Sequence, residues 1–151
     1  MAARSTFPPL SPQAAVQFQR IDGKRWSHGL SEGWRWGLLL AAFAIVFGVL
    51  GLTPSLTWIP EVPLLIAGAA GPLLILAAAG GRAGSPSGPA GAGALAGAVA
   101  GMIGGFAGGL CFVAFGKPVL NVAIGVLAGA MGGAVVGGIA GLLGRRRPVR
   151  P

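Results

Sequence analysis

Glycine returns at every fourth residue through two long apolar stretches, at Gly93, Gly97, Gly101, Gly105 and Gly109 and again at Gly125, Gly129, Gly133, Gly137 and Gly141. At about 100° per residue, a four-residue step overshoots one turn by about 40°, so each row traces a slanting groove on one helix face. Such a groove lets a second backbone approach. That matters most in a bilayer, where lipid tails are as apolar as leucine and helices associate through close van der Waals packing rather than hydrophobic burial. Residues 90–115 and 119–144 therefore read as two membrane-spanning helices that form a glycine-zipper (GxxxG repeat) pair, turning at Gly116–Lys117–Pro118. Superposing Gly93 on Gly125 also matches Leu95 with Leu127, Ala96 with Ala128 and Ala98 with Ala130, an internal repeat of 32 residues.

Composition supports a membrane environment. The chain is 54% hydrophobic and only 9% charged, against about 25% charged residues in an average soluble domain. Its net charge of +8 would suit a nucleic-acid surface, but the cations cluster in flanks and leave the apolar runs bare, as in the cytoplasmic flanks of membrane proteins. Nucleic acid is therefore not an expected partner. The single cysteine, Cys111, lies inside an apolar run. It allows no intramolecular disulfide and no paired metal or redox motif, and it reads as a small hydrophobe. The first apolar run begins only near residue 36 and is too long for a signal-peptide core, so it reads as an uncleaved anchor.

Five regions follow along the chain. Residues 1–30 form a basic and aromatic cytoplasmic segment, with prolines at Pro8, Pro9 and Pro12. A short surface helix is expected from Pro12 to about Ile21, capped by Ser11, with a disordered lead as the alternative. Asp22–Gly23 reads as a turn. Trp26, Trp34 and Trp36 alternate with Lys24, Arg25 and Arg35, and indoles and cationic stems of this kind anchor at the headgroup level. Residues 31–81 form the first transmembrane hairpin: a helix capped at Ser31 and running to about Leu52, a short outer loop holding Trp58, and a second helix from Val62 to about Ala79. Pro72 is expected to kink that second helix, because its missing N–H frees the Gly68 carbonyl. Residues 82–89 form a Gly/Ser/Pro linker, 90–144 the glycine-zipper hairpin and 145–151 a basic cytoplasmic tail. The expected fold is an all-α integral membrane protein with four transmembrane helices arranged as two hairpins.

With the N-terminus inside, ten of the eleven Lys and Arg residues fall on the cytoplasmic side and only Lys117 lies outside. The positive-inside rule then puts both termini in the cytoplasm of a plasma-membrane protein. The register of the second hairpin follows from equal distance to Lys117. It pairs Gly109 with Gly125, Gly105 with Gly129, Gly101 with Gly133, Gly97 with Gly137 and Gly93 with Gly141. A right-handed crossing near −40° would leave only part of this series in contact, with closest approach at Gly101 and Gly133 and with Ile103 and Val135 facing lipid.

Chemistry finds little foothold. Asp22, Glu32 and Glu61 are the only carboxylates and His28 the only histidine, all in flanks or loops, so no catalytic constellation, metal site or cofactor site is expected. Glycine-every-fourth hairpins are similar to those of the membrane rotor subunits of ATP synthases. Those subunits bind their ion on a mid-membrane carboxylate, and no span here has one. Two functional readings remain. One is a structural or assembly subunit that contacts the lipid bilayer and, through glycine faces, a membrane-protein partner or a second copy. The other is a homo-oligomeric channel or transporter, although selective pores need rings of charge or carbonyl ligands.

Overall fold

The computed structural model describes the backbone of residues 12–52, 61–84 and 91–145, and the side chains of 26–51, 62–84 and 91–145. Four α-helices result: α1 (Pro12–Leu52), α2 (Glu61–Ala83), α3 (Ala92–Ala114) and α4 (Leu120–Arg145). Each holds a stretch long and apolar enough to cross a membrane: Trp26–Gly51, Val62–Ala83, Ala92–Ala114 and Leu120–Arg145. Among the described residues all regular structure is helical, and these four helices suggest integration in a membrane.

Residue size is sorted in the order opposite to a soluble core. Among the described residues the buried hydrophobic side chains are Leu40, Leu76 and six alanines, with Ala79, Ala96 and Ala100 at zero exposure. Large apolar residues face outward, as do Leu65 at 75% exposure, Met131 at 72% and Ile139 at 57%. A soluble monomer rarely exposes large contiguous apolar patches. In lipid this outer surface costs nothing, and small residues inside let the backbones close on one another.

The first helix departs from expectation. α1 runs without a break through Asp22, Gly23 and Ser31. Glycine costs a helix only about 1 kcal/mol, and no proline interrupts residues 13–53, so a favourable propagation carries the helix across the expected turn. Ser31 is no cap: its Oγ donates to the His28 carbonyl at 2.9 Å, a bond back along the same helix. The expected cap at Ser11, the outer loop with Trp58, most of the linker (85–89) and the tail beyond Arg145 lie outside the described residues. Arg82 was expected in that linker; it sits in the last turn of α2. α2 continues as an α-helix through Pro72.

Contacts along the helices fix their directions. On α1, Gly29 faces Ala92, Gly33 faces Ala96, Gly37 faces Ala100 and Gly48 faces Cys111, a constant offset that makes α1 and α3 parallel. Phe47 lies against Gly68 and Phe43 against Gly71, so α1 and α2 run antiparallel. Gly80 meets Gly137 and Gly84 meets Gly141, so α2 and α4 are parallel. The described cations Arg35, Arg82 and Arg145 thus share one end of the bundle, with Lys117 at the other.

The reversal between α3 and α4 shows how the sequence ends a helix. Gly116 takes φ of 80°; its N–H donates to the Val113 carbonyl at 2.9 Å and the Lys117 N–H donates to Phe112 at 3.0 Å. This is a Schellman cap, which needs a left-handed residue that glycine supplies without Cβ strain. Pro118 follows and cannot continue α3; its carbonyl then accepts from Asn121 N–H at 3.0 Å as α4 begins.

Candidate functional site

The glycine rows come together in the register that the turn dictates. A Cβ added to Gly101 would strike the Gly129 carbonyl oxygen and lie 3.3 Å from the Gly133 Cα. One on Gly97 would strike the Gly133 oxygen and lie 2.9 Å from the Gly137 Cα, and one on Gly105 would strike the Gly125 oxygen. One on Gly93 would lie 2.7 Å from the Gly137 oxygen and 2.9 Å from the Gly141 Cα. Gly93, Gly97, Gly101 and Gly105 of α3 therefore each fall between two glycines of α4. The expected pairing about Lys117 is displaced because the chain reverses about Gly116, whose positive φ makes the bend.

Contact also extends beyond the central pair. A Cβ on Gly109, expected against Gly125, would lie 2.6 Å from the Val122 Cα and 2.9 Å from the Asn121 oxygen. From Gly93 to Gly109 the row is about 24 Å long at 1.5 Å per residue, and straight helices crossing at 40° would part by about 8 Å at its ends. Contact at both ends therefore means that the two helices wrap round one another along the slanting rows rather than crossing as straight rods. Ile103 is also reassigned. It does not face lipid but packs on α1, where a Cβ at Gly37 would lie 2.6 Å from its Cδ1. Val135 is 61% exposed.

Two glycine clusters were not anticipated. Gly29, Gly33 and Gly37 repeat at the same four-residue step and hold α1 against Ala92, Ala96 and Ala100 of α3. The spacing stood in the sequence, but the flanking Trp and Arg residues pointed to a headgroup-level segment. The second cluster is three-way: Gly80 and Gly84 of α2 approach Gly137 and Gly141 of α4, while Gly93 of α3 lies near the Gly80 oxygen. Nothing local marks Gly80 and Gly84 as contact residues, since they adjoin a Gly/Ser/Pro-rich segment.

An apolar chamber of about 580 Å3 opens between α1, α2 and α3, lined by Phe43, Phe47, Leu65, Pro72, Gly104 and Cys111 among others. Phe43 and Phe47 stack there with ring centroids 4.2 Å apart. The lining offers no charged group for catalysis or ion coordination. Among the described residues no three His, Cys, Asp or Glu side chains are grouped to hold a metal.

The tryptophans diverge in setting. Trp34 is 59% exposed, and Trp26 lays its ring near Gly91 at the start of α3. Trp36 is half-buried: its Nε1 donates to Glu32 Oε2 at 3.2 Å, and the Arg82 guanidinium stands 5.1 Å above its ring. Glu32 also lies 4.0 Å from Arg35. The cation–π contact joins α1 to the end of α2, and the Glu32 bonds lie within α1. No protein-family model matches the chain, and comparison with curated proteins and with solved structures finds no match.

Proposed function

We propose that the protein is a structural or assembly component of a membrane, without catalytic activity, whose four spans form two hairpins and whose second hairpin is a glycine zipper. The observation that carries this reading is the use of the glycine rows. Those on α1, α3 and α4 lie against neighbouring backbones, while the outward surface is large and apolar. No charged residue stands within 62–81, 92–114 or 120–144, and the first span, Trp26–Gly51, carries Glu32 and Arg35 only toward its start, which weighs against a proton relay or a charged ring for a selective pore. With the glycines engaged inside the bundle, the outer leucine-rich face is the surface left for lipid and for a partner. The ten-to-one distribution of cations supports cytoplasmic termini in a plasma membrane.

Ion flux from the purified chain in liposomes tests the reading. Leakage of monovalent ions and of protons no faster than from protein-free vesicles is expected. Selective flux that scales with protein-to-lipid ratio would overturn it in favour of the oligomeric channel.

A further inference from the structure

A second cleft, of about 440 Å3, lies between the C-terminal ends of α2 and α4 and differs in chemistry from the apolar chamber. It is lined by Ala77, Ala78, Gly81 and Arg82 of α2 and by Ala140, Leu143 and Gly144 of α4. Gly81 keeps it open: a Cβ there would meet only the Ala140 oxygen, at 3.9 Å. The volume lies in the usual range of ligand pockets, about 300–1,000 Å3.

Cations outnumber carboxylates at this end, where α1 contributes Glu32 and, nearer its start, Asp22. Arg82 borders the cleft and Arg145 closes α4, with Arg146 and Arg147 next in the chain. Neither α3 nor α4 contains a carboxylate, and Glu61, the acid of α2, is at that helix's other end. Glu32 of α1 is engaged with Trp36 and Arg35. Arg82 itself is held in place: Glu32 orients the Trp36 indole, and the indole carries the guanidinium over its face. That contact uses the ring's π cloud and no acceptor oxygen, so a fixed cation stands beside an opening with small walls. Basic pockets between transmembrane helices at a membrane surface bind anionic headgroups, and the guanidinium fork matches a phosphate geometrically.

We propose that the α2–α4 cleft is a binding site for an anionic phospholipid, with the phosphate-bearing headgroup at Arg82 and the upper part of the lipid against the Ala/Gly walls. The site needs no particular choice of which membrane face this end occupies, so it stands apart from the topology and the role proposed above.

The test uses the full-length chain in detergent with an equimolar supply of phosphatidylglycerol and phosphatidylcholine, and native mass spectrometry to count the lipid retained. The wild-type chain is expected to favour the anionic lipid by roughly fivefold for each cation engaged. Arg82→Gln should remove most of that preference. Gly81→Leu should remove it as well by filling the cleft, since the only atom its Cβ would meet is the Ala140 carbonyl oxygen, at an ordinary contact distance of 3.9 Å. Arg35→Gln, which deletes a 78% exposed cation outside the cleft, should leave it intact. Equal retention of the two lipids by the wild-type chain overturns the proposal, as does an Arg35→Gln loss as large as that of Arg82→Gln. Retained preference in Gly81→Leu would assign the binding to diffuse surface charge and likewise overturn it.

Discussion

At the scale of single residues, the same amino acid has opposite consequences depending on what its missing side chain faces. Gly101 faces backbone atoms of Gly129 and Gly133, which cannot rotate away as a side chain could. Gly132, on the same helix as those partners, has nothing within 4 Å. Gly101→Leu should therefore force α3 from α4 and destabilise the bundle by on the order of 1–3 kcal/mol, as overpacking does in cores. Gly132→Leu should be close to neutral. Reversible unfolding in mixed micelles, followed by helical circular dichroism, measures both; equal effects from the two substitutions would contradict the packing described here.

Among the elements, α3 is the one around which the others are arranged. It presents Ala92, Ala96, Ala100 and Gly104 to α1 and, one residue on in each case, Gly93, Gly97, Gly101 and Gly105 to α4. Two adjacent stripes at the same step serve two neighbours, one parallel and one antiparallel. The parallel pairing with α1 can be tested without adding more than one cysteine. A Cβ at Gly48 would lie 3.2 Å from the Cys111 Cβ and 3.4 Å from its Sγ, close to the separation a disulfide requires, about 3.5–4.5 Å between Cβ atoms. Gly48→Cys is therefore expected to form an intramolecular disulfide with Cys111 on mild oxidation, read as a reducible mobility shift or by peptide mapping. Absence of the bond at full oxidant exposure would place α1 elsewhere.

For the molecule as a whole, helix pairing collects Arg35, Arg82 and Arg145 at one end and leaves Lys117 at the other. If the basic end is cytoplasmic, as the proposed topology has it, reporters that work only in the cytoplasm should be active at either terminus. A reporter inserted after Lys117 should behave as external. Moving the cations from the basic end to the 116–118 turn should weaken or invert that orientation. An active cytoplasmic reporter at Lys117 in the unaltered chain would refute the topology.

Four apolar helices were legible from the amino-acid order alone, because length and hydropathy set what can lie in a bilayer regardless of neighbours. The end of α3 was legible as well: Gly116, Lys117 and Pro118 form a local stop signal whose hydrogen bonds close within six residues. Where each glycine points was not. A step of four marks a face but not its partner, so Gly29, Gly33 and Gly37 looked like part of a surface segment until α3 was seen to lie along them. The continuity of α1 through Asp22 and Gly23 was likewise hidden, since a turn dipeptide weighs only about 1 kcal/mol against helix propagation. Tertiary structure alone decided that α2 reaches α4 through Gly80 and Gly84, that Ile103 packs inward, and that Arg82 meets Trp36. Those contacts join residues far apart in the chain, and their geometry is set by how closely four backbones approach, a property no local pattern encodes.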